Sequence, residues 1–147
     1  MKIWVDADAC PKPIKEILFR VAERTQISVV FVANQWLHLP ASPFLTCLQV
    51  PQGSDAADDK IAEDCAAGDL VITADIPLAA RIVEKNAWAL DPRGTMYDQN
   101  NIGAKLGMRD FMDSLRGSGI ETGGPKSFGQ KERLEFANAL DKFLAQQ

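Results

Sequence analysis

The chain has 147 residues, of which 46% are hydrophobic and 24% charged, and its formal net charge of −4 accompanies a pI near 5.0. That length suits one domain with one core, and the acidic balance argues against the broad basic field of nonspecific duplex-DNA binders. Cys10, Cys47 and Cys65 form no C-x-x-C pair, and their odd number argues against a closed disulfide framework.

The first apolar run, Ile3 to Val5, opens on Asp6 and reads as a strand. Ile14, Ile17, Leu18, Val21 and Ala22 follow at helical spacing within Pro11 to Thr25. Residues 27–33 are β-branched and short, so they predict a second strand, and Leu45 to Val50 predicts a third after the Pro40 and Pro43 loop. Ser54 and Asp55 mark a helix start leading to Ala67, with Gly68 ending it. Leu70 to Thr73 is a fourth strand, Ile76 to Asn86 a helix, and Ala87 to Leu90 a fifth strand. Beyond Pro92 the chain turns Gly- and Asn-rich, with a helix expected around Ile102 to Leu115. A glycine-rich stretch then leads to a closing helix within 117–147. Ser127 and Gln130 have capping-box spacing, and Leu134, Ala137, Leu140, Phe143 and Leu144 would be that helix's apolar stripe.

This alternation predicts a single α/β domain over residues 1–147, with a five-stranded, mainly parallel sheet and helices on both faces. In such sheets functional groups collect at the carboxyl ends of the strands, near the point where strand order reverses. Under the order 3-2-1-4-5, strands one and four are neighbours there. Asp6 and Asp8 follow strand one and Asp75 follows strand four, so the three should approach one another. Asp55, Asp58 and Asp59 share about one third of a helix circumference at 100° per residue. Each acid alone has a structural explanation as a cap, a turn former or a complement to the helix dipole. Their joint placement points instead to a carboxylate pocket. Such a pocket needs protons, arginines or hard divalent cations such as Mg²⁺ or Mn²⁺ to relieve repulsion.

The segments Val5-Asp-Ala-Asp-Ala-Cys-Pro11, Gly53-Ser-Asp-Ala-Ala-Asp-Asp-Lys60, Asp69-Leu-Val-Ile-Thr-Ala-Asp-Ile-Pro-Leu-Ala79, Pro92-Arg-Gly94 and Gly124-Pro125 resemble the successive motifs of the YaiI/YqxD family of bacterial proteins. That family is regarded as PIN-like, and the resemblance implies a metal-dependent nuclease fold. In PIN domains one Asp ends the first strand, an acid sits on a helix and another Asp follows the fourth strand. Asp6, Asp58 or Asp59, and Asp75 match those positions, while Asp8 doubles the first acid.

The expected chemistry is hydrolysis of RNA or single-stranded DNA phosphodiesters, with Mg²⁺ or Mn²⁺ held by Asp6, Asp75 and Asp58 or Asp59. Asp8 joins them as a candidate catalytic acid, and Arg93, Arg109 and Lys126 are candidate phosphate clamps. Residues 1–75 carry 6 Lys and Arg against 11 Asp and Glu, whereas residues 76–147 carry 10 against 9. An acidic half beside a mildly basic half fits that division of labour. Asp6-x-Asp8 also resembles the nucleophile loop of haloacid-dehalogenase phosphatases, although Cys10 stands where Thr or Val is needed. The remaining alternative is a non-catalytic module that binds a metal or nucleic acid.

His38 is the only histidine, so Ser-His-Asp and zinc chemistry have little support. Cys10 lies among acids, which disfavours a thiolate and favours a structural role. Trp36 lies in a loop where it could stack on a base, whereas Trp4 and Trp88 are expected in the core. The early charge after residue 5 and the lack of a run of ~18 apolar residues predict a cytoplasmic protein without a membrane span.

Overall fold

The computed structural model describes residues 1–53, 55–117 and 128–147. Six strands form one sheet in the order β3-β2-β1-β4-β5-β6. They are β1 (Ile3–Asp6), β2 (Val29–Ala33), β3 (Leu45–Gln49), β4 (Leu70–Ile72), β5 (Trp88–Leu90) and β6 (Met96–Tyr97). The first five are parallel in the expected order 3-2-1-4-5, and β6 adds an antiparallel edge beside β5. β6 is absent from the sequence expectation because two residues carry no readable alternation. A turn fixes it, in which Asp91 N–H donates to Thr95 O at 2.8 Å and Gly94 N–H to Asp91 O at 2.8 Å.

Five helices accompany the sheet: α1 (Lys12–Thr25), α2 (Ala56–Asp64), α3 (Ile76–Glu84), α4 (Ile102–Gly117) and α5 (Gln130–Ala145). Successive side chains of a strand leave opposite faces. Ile3 and Val5 therefore join Val29, Phe31, Leu70 and Ile72 beneath α1 and α5. Trp4 points the other way, joining Val30, Val32, Val71 and Ala89 beneath α2 and α3. Asp6 and Thr73 continue the Trp4 and Val71 parity, so both leave the sheet on the α2 and α3 side.

Several ends differ from expectation. α2 stops at Asp64 instead of Ala67, because Cys65 turns extended at φ −69° and ψ 147°. The Lys85 ammonium donates to the carbonyls of Ala62 at 2.7 Å and of Cys65, which closes that helix end with a positive charge. α3 stops at Glu84, and Asn86 adopts φ +63°, a left-handed turn that asparagine tolerates. At the start of α5 it is Glu132 that reaches back, accepting from Gly129 N–H at 3.0 Å, while Ser127 lies outside the described residues. The buried stripe of α5 is Phe136, Leu140 and Phe143, and Leu134, expected inside, is 60% exposed. Trp4 is buried as expected. Trp88 is not: at the start of β5 it is 39% exposed and meets Phe143 edge-on with ring centres 5.6 Å apart.

Candidate acidic site at the carboxyl edge of the sheet

β1 and β4 pair in register, Val5 opposite Ile72, so the residues that leave their carboxyl ends emerge side by side. Asp6 is 8% exposed and Thr73 is 2% exposed. The Thr73 hydroxyl donates to Asp6 Oδ2 at 3.2 Å and accepts from Asp75 N–H at 3.0 Å, which binds the two strand ends into one unit. Asp75 is the N-cap of α3, its Oδ1 accepting from Leu78 N–H at 2.9 Å. The capping role and a role in the cluster therefore coexist in one carboxylate.

Asp58 enters from the first turn of α2 on the side of Asp75. Burial, then the charges of Asp75 and Asp6, then the approach of its carboxyl to that of Asp75 and the charge of Asp55, push the Asp58 carboxyl up to about 7. Burial also raises Asp6 above its usual range, opposed by the Thr73 hydrogen bond and reinforced by Asp75 and Asp8. The cluster thus carries more negative charge than its surroundings neutralise.

The other predicted acids stand in distinct places. Asp8 is exposed in a single 3-10 turn (Ala7–Ala9), where its Oδ2 accepts from Asn34 N–H at 2.9 Å and ties the end of β1 to the end of β2. Asp59 is exposed and pairs with Arg81 of α3 at 2.9 Å. Of the two adjacent candidates, Asp58 is therefore the one beside Asp6 and Asp75.

Arg93 stacks on the Phe128 ring at 5.5 Å and lies 3.9 Å from Glu132, which ties the β5–β6 turn to the start of α5. Arg109 pairs with Asp110 at 3.3 Å and Asp113 at 3.4 Å on α4. Lys126 and Ser54 lie outside the described residues. Cys10 is buried, and burial pushes its thiol up to about 12, with Lys15 opposing and Asp6 adding to the rise. That rise disfavours a nucleophilic thiolate at this position near neutral pH.

The sequence reading gave three structurally important polar groups no role. Asp69, just before β4, accepts from Lys2 N–H at 3.0 Å, Trp4 Nε1–H at 3.1 Å and Ala66 N–H at 2.9 Å. Asp91 accepts from Arg93 N–H at 2.7 Å and Tyr97 Oη–H at 3.2 Å, and burial, then the Asp91 charge, raises the Tyr97 hydroxyl. Asn34 buries its side-chain oxygen without a partner. An acid just outside an apolar run was the only available signal, and it does not separate a buried hydrogen-bond hub from a surface cap.

Among the described residues, no three His, Cys, Asp or Glu side chains stand together as a ready metal cage. Asp6, Asp58 and Asp75 offer carboxylate oxygens, the donor type that suits a hard cation such as Mg²⁺ or Mn²⁺, so they are the residues that would hold one if it bound here.

The family profile described as Uncharacterized BCR, YaiI/YqxD family matches residues 4–146, and the chain belongs to that family. It is 60% identical over 144 residues to a UPF0178 protein of Klebsiella pneumoniae, covering 98% of this chain and 95% of the relative. A UPF0178 protein of Proteus mirabilis is 58% identical over 147 residues, with 100% and 97% covered. One of Pseudoalteromonas atlantica is 56% identical over 146 residues, with 99% of each chain covered. No solved structure matches. Among the described residues, no helix is long and apolar enough to cross a membrane.

Proposed function

We propose that the chain is a PIN-like, Mg²⁺- or Mn²⁺-dependent nuclease acting on RNA or single-stranded DNA. The observation that carries this reading is the meeting of Asp6, Asp75 and Asp58 at the carboxyl ends of β1 and β4, with a carboxyl raised to about 7 among them. A cation bound there would supply charge neutralisation for a phosphodiester and lower the pKa of a bound water. The chain's own part is orientation: Thr73 holds Asp6, the α3 backbone holds Asp75, and α2 brings Asp58 against it.

The test is turnover of end-labelled single-stranded RNA and DNA oligonucleotides with Mn²⁺, Mg²⁺ or EDTA. Metal-dependent internal cleavage by the parent, lost in Asp6→Asn and Asp75→Asn, is expected. Cleavage that persists in both variants at the parent's rate would remove the acidic site from the chemistry, and no cleavage of either polymer at saturating metal would sink the nuclease reading.

A further inference from the structure

On the opposite side of the sheet, α1 and α5 lie against each other, and a hollow of about 280 Å³ opens along their seam. Ile17, Leu134 and Ala137 form its apolar lining, and Arg20, Gln130 and Arg133 supply its polar groups. The two arginines differ from most others in the chain. Arg24 pairs with Asp141, Arg81 with Asp59, Arg93 with Glu132 and Arg109 with Asp110 and Asp113. Among the described residues, Arg20 and Arg133 have no acidic partner, and both are exposed.

Two unneutralised guanidinium groups beside an exposed leucine make a particular kind of surface. Planar guanidinium groups bind phosphate oxygens through paired N–H donors, and they do so at full charge at every physiological pH. The aliphatic strip in the same hollow offers a surface against which the face of a base or a ribose can pack. A purely acidic chain such as polyglutamate would satisfy the arginines but leave the strip formed by Ile17, Leu134 and Ala137 without a matching group. We propose that the α1/α5 seam is a second contact site for single-stranded nucleic acid, with phosphates on Arg20 and Arg133 and an apolar nucleotide face over Leu134. This rests on the nucleic-acid reading of the acidic site and extends it to where the strand runs outside that site. Leu134 then has a reason to face solvent on a helix whose other large apolar groups point inward.

Binding can be separated from cleavage by working in EDTA. A fluorescent single-stranded oligonucleotide is titrated with the parent, Arg20→Ala/Arg133→Ala and Arg20→Glu/Arg133→Glu across a salt series, with melting curves to confirm folding. Removing two phosphate contacts should weaken binding at least about tenfold and lower the log–log salt slope by about 1.4, since each contact on a single strand contributes ~0.7. Charge reversal should weaken it further. Leu134→Ala should reduce affinity without changing the slope. Parent-like affinity and slope in both double variants would overturn the seam as a contact site, leaving the acidic site to be judged on cleavage alone. Displacement of the oligonucleotide by an equal concentration of a decaglutamate peptide would overturn the nucleic-acid assignment in favour of an acidic protein partner. A parent that fails to bind in low salt would also overturn it. A parent that binds in this pattern yet cuts nothing would keep the seam and remove the nuclease reading.

Discussion

The Thr73 hydroxyl donates a hydrogen bond to Asp6 and accepts one from the backbone N–H of Asp75, so one side chain links two acidic residues from different strand ends. Thr73 is 2% exposed and Asp6 8%, so water is a poor substitute for the bond between them, while the Asp75 N–H is part-buried. The unit explains how a short β4 can place the N-cap of α3 against the end of β1.

Thr73→Val keeps the shape and deletes both bonds. The stability loss should be about 1–2 kcal/mol, the range for leaving a buried carboxylate and a part-buried N–H without a partner. Losing the hydroxyl also removes the influence that lowers Asp6, so its carboxyl should titrate higher still. If the site is catalytic, the activity profile should shift to higher pH while Thr73→Ser restores the parent profile. A Val variant with an unchanged profile would show that Thr73 does not act through Asp6.

Asp58 makes the fold sensitive to pH in a predictable direction. Its folded value of about 7 lies above the ordinary 3.8, so between these the folded state binds the proton more tightly. Its contribution is most favourable at low pH, declines as pH rises from about 4 to about 7, and is a full penalty above that. Asp58→Asn should therefore gain stability over the parent in metal-free buffer above pH 7. After solvent screening of a part-exposed group the gain should be on the order of 1–2 kcal/mol, or several degrees in Tm. Melting curves at pH 5 and pH 8 with EDTA and with Mn²⁺ are the check. A parent more stable than the variant at pH 8 in EDTA would contradict the repulsion inferred here.

The sheet was legible because most of its strands alternate with amphipathic helices, and the order 3-2-1-4-5 is one of those that such alternation permits. The convergence of Asp6 with Asp75 was legible for the same reason: parallel pairing of β1 and β4 brings their carboxyl ends together. Resolving Asp58 from Asp59 was beyond pattern reading. The two lie one residue apart on α2, and what separates them is Arg81, which draws Asp59 outward from a neighbouring helix. Likewise β6, the exposure of Trp88 and the loss of the last turn of α2 depend on contacts between distant segments. Lys85 reaching the end of α2 leaves no trace in local periodicity.

Asp69 should give the opposite pH signature to Asp58. Burial pushes its carboxyl up, but hydrogen bonds from Ala66, Lys2 and Trp4, with the N-terminal ammonium, hold it below its usual value. Its contribution is complete above about pH 4 and fades as pH falls through the lowered folded value. Asp69→Asn offers an amide where three donors point, so urea denaturation at pH 7 should show a loss of about 2–3 kcal/mol. The gap to the parent should narrow near pH 3. An equal gap at both values would mean that shape, and not charge, is what Asp69 supplies.

The β5–β6 turn is held to α5 by a contact that admits no side chain at one position. Gly94 has φ +98°, and a Cβ there would lie 2.8 Å from the backbone carbon and 2.9 Å from the backbone oxygen of Glu135. Two costs therefore add in Gly94→Ala: left-handed backbone strain of about 1 kcal/mol and a clash that pushes the turn off the helix, typically about 1–3 kcal/mol. Glu135 cannot relieve the clash by rotating its side chain, because the close atoms are mainly backbone. The displacement should also loosen Arg93 from Phe128 and Trp88 from Phe143, since both pairs span the same joint. The expected result is a loss of about 2–4 kcal/mol in urea denaturation, together with a red-shifted, more quenchable Trp88 emission measured in a Trp4→Phe/Trp36→Phe background. A Gly94→Ala protein as stable as its parent, with Trp88 emission unchanged, would show that the turn and α5 are not in direct backbone contact.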